Sequence, residues 1–296
     1  VTEPPLRIGT NIWTGYEPLY LARNLGYYDN SRVKLIELTS ASEVIHALRN
    51  GTLEGGALTL DEALSLIDEG FKLKVILVMD FSNGGDVLLA KPGIGSPADL
   101  RGKRIAVETS AVGAILLDGA LSSGGLSFSD IEIVPCTVDN HIRCYSSVDA
   151  VVTFQPVKTK LINQGAVQLF DSSLIKGRIV DVLVVSAETV NTHPHTVTHL
   201  LEGYFKAREY LANHPEDAAK RMTARLAISA AEILGCFNEM SLPDLEENRA
   251  LLNGNPPSLQ LTASDLAGFM LQRRFIKKPL RLEGVTEGRF LPPKAP

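Results

Sequence analysis

The alternation of short apolar runs with amphipathic segments constrains this chain more than any other feature. "LRIGTNI" reads as a strand and "EPLYLARNLGYY" as a helix with Pro18 in its first turn, where a missing N–H costs nothing. "VKLIELT" is a strand; "SASEVIHALRNG" is a helix with Ser40 or Ser42 as N-cap and Gly51 as its stop. "GGALTL" follows as a strand, "DEALSLIDEG" as a helix capped by Asp61, and "LKVILVMDF" as a buried strand. Near-continuous apolar strands between helices predict a mostly parallel sheet covered on both faces.

A second block repeats the rhythm. "KRIAVE" and "IEIVPC" are strands around the helix "AVGAILLDGALSSGG", for which Ser110 is the expected cap. "VDAVVTF" leads through Pro156 into the helix "VKTKLINQG" and the strand "AVQLF". Beyond residue 190 the chain reads as almost wholly helical, and its Pro-rich last residues are expected to be loose. "GDVLLA" at 85–90 and "VDVLVV" at 180–185 bracket the middle block. That predicts a second lobe inserted into the first: residues 1–88 with 187–296, then 89–186, hinged near 85–91 and 180–187. At 296 residues the chain has room for two cores.

Composition removes several classes. A formal charge of -5 with no basic stripe argues against nucleic acid. The longest apolar runs are strand-length, too short to span a bilayer. The polar opening "VTEPPLR", without Met, is compatible with a processed start and with export. Cys136 and Cys144 are close enough to bridge in an oxidising compartment, leaving Cys236 alone; three separate thiols are equally compatible. No G-x-S-x-G, Walker, H-E-x-x-H or C-x-x-C motif is present. "GIGSPADLRGKR" precedes a strand and reads as a surface turn. His193, His195 and His199 lack an acidic or thiol partner at ligand spacing and read as polar surface. No catalytic residue, metal or cofactor is therefore expected.

The positive signal is positional, because ligands of α/β sheets gather outside the carboxyl ends of strands. After the first strand come Asn11, Trp13, Tyr16 and Glu17; after the third, Thr59 and Asp61; after the fourth, Asp80, Ser82, Asn83 and Asp86. The second block adds Glu108, Ser110, Thr153, Phe154 and Gln155, and Asp181 stands at the return crossing. Two lobes would aim these groups at one cleft.

At these residues the sequence resembles the substrate-binding proteins of bacterial ABC importers, in the NMT1/THI5-like branch with the nitrate, sulfonate and taurine binders. The family segment W-P-G-Y-E-P-L-Y-L-A is matched at 13–22 with Thr14 for Pro. L-T-x-D-E is matched at 58–62, and D-x-S-N-G-A-D at 80–86 with Gly85 for Ala. D-L-[KR]-G-K-R-[IV] lies at 99–105, and V-D-A-V-V-T-F-E-P at 148–156 with Gln155 for Glu. F-D-S-S and I-V-D-V-L-V-V fit within 170–185.

The resemblance implies a two-lobed type II periplasmic-binding fold with a helical tail. It also implies capture of a small solute outside the cytoplasm, by a monomer anchored or free, and delivery to a membrane permease. Trp13 and Tyr16 would form a stacking wall, and Trp13→Ala would abolish ligand binding while leaving the fold intact. Gln155 would remove one charge from the cleft. The remaining acids, Glu17, Asp61, Asp80, Asp86, Glu108 and Asp181, favour an amine or a neutral heteroaromatic ligand. Helix N-termini could instead hold a sulfonate or nitrate. The rival readings are the sensor domain of a signalling receptor and a pyrimidine-synthase-type enzyme of the same superfamily.

Overall fold

The structure is a computed structural model and describes residues 2–110 and 112–294. Its strands are β1 (Leu6–Thr10), β2 (Val33–Glu37), β3 (Gly55–Thr59), β4 (Leu73–Ser82), β5 (Asp86–Ala90), β6 (Arg104–Val107), β7 (Glu132–Pro135), β8 (Ala150–Phe154), β9 (Val167–Asp171), β10 (Val180–Ser186) and β11 (Met240–Ser241). The helices are α1 (Glu17–Asn24), α2 (Ala41–Arg49), α3 (Leu60–Asp68), α4 (Gly113–Ser123), α5 (His141–Tyr145), α6 (Val157–Asn163), α7 (Thr189–Thr192), α8 (Pro194–Asn213), α9 (Pro215–Leu226), α10 (Ala230–Phe237), α11 (Leu245–Leu252) and α12 (Ser258–Gln272).

Two mixed sheets result. The first runs β11-β4-β10-β3-β1-β2 and the second β7-β6-β8-β5-β9. β1 is parallel to β2 and β3, and β6 to β7 and β8, as helical crossovers require. β10 enters the first sheet from the other side and is antiparallel to β3 and β4; β5 likewise opposes β8 and β9. The whole of β10 pairs in the first sheet and the whole of β5 in the second. Sheet membership thus changes between Ser82 and Asp86 and again between Asp171 and Val180, a few residues ahead of the boundaries expected from sequence.

Local chemistry explains the helix starts. The Ser40 hydroxyl accepts the Glu43 amide and caps α2. α3 is capped by Thr59 with Glu62 at the third helical position, a capping box, so Asp61 sits in the first turn and is not the cap. α4 begins at Gly113, later than expected, with Val112 at its cap position; Ser110 does not cap it, and Ala111 lies outside the described residues.

The C-terminal third completes the first sheet. The outer edge of β4 carries backbone groups that must find partners. Val75 donates to Val285 O and accepts from Glu287 N; Val78 exchanges bonds with the buried Asn248 amide; Phe81 and Ser82 pair with β11. The tail is packed through Phe290 and Leu291, both buried; of the Pro-rich last residues expected to be loose, Pro293 and Lys294 are exposed, and 295–296 lie outside the described residues. α8 and α9 pack on α1, α11 on β4, and α12 on α3.

Candidate ligand site

The segment after β1 lies where the two sheets meet. Trp13 is 4% exposed, and its indole Nε1 donates to Asp80 Oδ2 at 2.9 Å. Its ring meets Phe154, from the second sheet, edge-on at 5.8 Å. A Cβ on Gly15 would strike both Asp80 and the indole nitrogen, and one on Gly85 would lie 2.6 Å from the Trp13 ring. Gly is thus required where the family pattern carries Ala, because the indole already fills the space.

The other two departures meet at the same joint. The Thr14 amide donates to Gln155 O at 3.4 Å, a bond that Pro could not make. Gln155 Nε2 donates to Glu239 at 3.2 Å, where a Glu would set carboxylate against carboxylate. Lys158 bonds the same Glu239 and Gly84 O, both at 2.9 Å. The buried Ser172 hydroxyl ties both crossings together: it bonds Ser82 Oγ at 2.8 Å and accepts the Gly84 amide at 2.8 Å and the Asp86 amide at 3.4 Å.

Beyond this joint lies a small chamber of about 20 Å³, room for little more than one water. Asn11, Trp13, Tyr16, Thr59, Glu62 and Asp181 face it from the first sheet. Asp86, Glu108, Val112, Gly113, His141 and Phe154 face it from the second. Among the described residues no Lys or Arg lines it.

Its electrostatics follow from burial without cations. Burial pushes Asp86 and Glu108 up to about 7, Glu62's charge adding to the shift at both. Asp181 is held well above the carboxylate range, by burial first and then by Asp80, its register neighbour across β10 and β4. Asp80 Oδ1 and Asp181 Oδ2 are both buried without a hydrogen-bond partner, and each carboxyl raises the cost of ionising the other. Tyr16 OH donates to Asp181 Oδ1 at 2.8 Å. Glu108 Oε1 is buried without a partner. Burial lowers His141 to about 4, leaving a neutral ring. Its Nε2 meets Cys136 O at 3.1 Å; a carbonyl only accepts, so Nε2 carries the proton and Nδ1 accepts from Thr153 Oγ1 at 2.8 Å.

The side opposite the joint is closed by a clasp. Glu62 accepts the Thr59 amide at 2.9 Å on one oxygen and the Val112 amide, from the second-sheet side, at 3.0 Å on the other. Glu108 answers from the second side, with the Ser42 backbone at the start of α2 favouring its charged form. Ser42 and Ser110 hydroxyls bond at 2.7 Å outside them. Beyond the clasp opens a groove of about 520 Å³.

Of the residues expected at the site, Asn11, Trp13, Tyr16, Thr59, Phe154 and Asp181 line the chamber. Asp61 and Ser110 face the outer groove. Asp80 stands behind Trp13, Thr153 behind His141, and Ser82, Asn83 and Gln155 belong to the joint. Glu17 points away, bonded to Arg225 at 2.9 Å; burial still holds it up to about 7. Glu62 and His141 were not anticipated at the site. The T-x-x-E spacing of Thr59 and Glu62 was the available signal for the first, whereas nothing local marks His141. Cys136 and Cys144 are joined in a disulfide, and Cys236 is free and buried.

The NMT1/THI5-like family matches residues 13–218, well over half of the chain. The chain belongs to that family. It is 24% identical over 253 residues to the taurine-binding periplasmic protein of Escherichia coli K12, covering 83% of this chain and 78% of that protein. Its fold matches that of the alkanesulfonate-binding protein SsuA from Xanthomonas axonopodis pv. citri bound to MOPS. There the TM-score is 0.78 at 18% identity, over 97% of this chain and all of that one. The desulfurization enzyme DSZB shares the fold at a TM-score of 0.69 and 17% identity, over 97% of both chains. The family's two-lobed periplasmic-binding architecture is therefore that of this chain.

Proposed function

We propose that this protein is an extracytoplasmic solute-binding protein that captures a small molecule between two lobes and presents it to the permease of an ABC importer. One observation carries the reading: the carboxyl ends of two sheets converge on a chamber walled by carboxylates and aromatic rings. The lobes divide where sheet membership changes, at 82–86 and 171–180, and the Ser172 knot marks the hinge. Binding energy closes the lobes and the partner reads the closed form.

The ligand in this reading carries an ammonium or an N–H-rich heteroaromatic group. Buried carboxylates require donors, and the chamber supplies too few of its own. The disulfide supports an oxidising, extracytoplasmic location. No helix among the described residues is long and apolar enough to cross a membrane. The closer relatives are binding proteins, and the thiols are not poised for nucleophilic chemistry in the chamber: two are bridged and the third is buried away from it. His141 has both nitrogens committed. A sulfonate is the second reading, favoured by the similarity to a taurine-binding protein.

Thermal melts of ligand-stripped protein against amines, neutral heteroaromatics and anions test the reading. A ligand at about 100 times its Kd adds roughly 2.7 kcal/mol of stability. Stabilisation by an amine or heteroaromatic is expected. Stabilisation by sulfonates alone would overturn the ligand class, and silence across the panel would overturn solute capture of these classes.

A further inference from the structure

Among the chamber carboxylates, Glu62 is the one whose two oxygens are bonded to backbone amides from opposite sides. The Thr59 amide belongs to the start of its own helix, where it takes one of the two Glu62 oxygens. The Val112 amide belongs to the other sheet's side and stands at the start of α4, an 11-residue helix. Free amides and the positive end of the helix dipole meet there, the ordinary seat for a bound anion. Glu62 occupies that seat with its own carboxylate, and it is 2% exposed.

We propose that Glu62 is a resident anion that reserves the α4 N-terminus and thereby sets the charge of the ligand. An incoming sulfonate or carboxylate would have to displace the Glu62 carboxyl from the Val112 amide and sit beside Asp86, Glu108 and Asp181, where no Lys or Arg among the described residues lines the chamber. A cation meets the opposite balance, because Glu62 stays bonded to Val112 and the unpartnered Glu108 oxygen is left to receive a donor. Glu62 is in this sense a specificity-determining residue, and the inference rests on the solute-binding reading above.

The experiment compares ethanesulfonate binding to wild type, Glu62→Ala and Glu62→Gln by titration calorimetry, with far-UV circular dichroism confirming that each variant is folded. Wild type should bind ethanesulfonate weakly or not at all. Glu62→Ala should bind it roughly tenfold tighter or better, the usual worth of a helix terminus to an anion in a partly buried setting. Glu62→Gln keeps an acceptor for the Thr59 amide while losing the charge, and should gain in the same direction if the alanine variant fails to fold. Tight ethanesulfonate binding by wild type, or no gain in either folded variant, overturns the proposal. The two readings fail separately. An amine that stabilises wild type while no variant gains ethanesulfonate leaves solute capture standing and removes the role of Glu62. Gained ethanesulfonate binding in a protein that no amine stabilises sustains the role of Glu62 and removes the cationic ligand.

Discussion

The joint side of the chamber and the clasp side are built from different materials. At the joint, Trp13 is locked between Gly15, Gly85 and Phe154, the Ser172 hydroxyl ties the crossing strands, and Gln155 donates to Glu239. Lys158 pairs with the same Glu239, and the indole N–H donates to Asp80. At the clasp, carboxylates reach across to the amides at helix starts, and among the described residues no Lys or Arg lines the chamber beside them. Packing around Trp13 dominates one side, whereas the other is built on carboxyl groups whose pKa burial pushes upward. A hinge and a latch differ in this way: one must survive opening, and the other must come undone.

The largest test of that contrast is Trp13→Ala. Because the indole fills the joint and satisfies Asp80, its loss should cost about 3–5 kcal/mol of stability by denaturant unfolding, with or without ligand. This replaces the sequence-based expectation that the apo fold would be untouched. An unchanged unfolding midpoint would mean that the joint is not packed around Trp13.

The second test is pH. Asp86 and Glu108 have folded values raised to about 7 above ordinary carboxylate values near 4. The folded state therefore binds more protons, and this contribution is fully present below pH 4 and lost as pH rises through 7. Melting should occur on the order of 5–10 °C higher at pH 5 than at pH 8. Glu17, raised to about 7 as well, adds to the same trend. A bound amine should flatten the dependence, and an apo melting temperature that rises over this interval would contradict the account of the chamber.

Gly85→Ala should act on the joint alone, costing about 1–3 kcal/mol through its contact with the Trp13 ring, while the pH trend survives. Smallest is Ser42→Ala. Removing one exposed hydroxyl bond of the clasp should change unfolding by no more than about 0.5–1.5 kcal/mol. Its larger effect should fall on ligand dissociation, read by stopped-flow. Equal effects of Gly85→Ala and Ser42→Ala on both readouts would erase the distinction between the two sides.

The alternation of strands and helices was legible because buried strands need apolar runs and exposed helix faces need polar ones. The residues after β1 and β3 were legible because ligands sit at strand ends, and Asn11, Trp13, Tyr16 and Thr59 do face the chamber. The other expected residues stand away from the chamber where one position shifts the facing of a helix. Asp61 and Glu62 are adjacent, yet one faces the outer groove and the other the chamber; only the capping geometry tells them apart. Gln155 and Ser82 stand at strand ends that serve the joint. Glu17 found Arg225 more than two hundred residues away, a pairing that no local pattern encodes. The covering of the β4 edge by Asn248, β11 and the segment around Val285 was not legible, because no local pattern reveals which distant segment an unpaired strand edge will take.

That covered edge has a consequence for how the chain acquires its shape. The second sheet is continuous in sequence from β5 to β9 and has all its strands once residue 171 is available. The first sheet waits. Its central strand β10 comes from 180–186, and the outer edge of β4 is finished only by Asn248, β11 and the segment around Val285 and Glu287. A chain emerging from its N-terminus, from a ribosome or through a translocation channel, can therefore complete the later sheet before the earlier one. It cannot bury β4 until nearly all of its length has arrived.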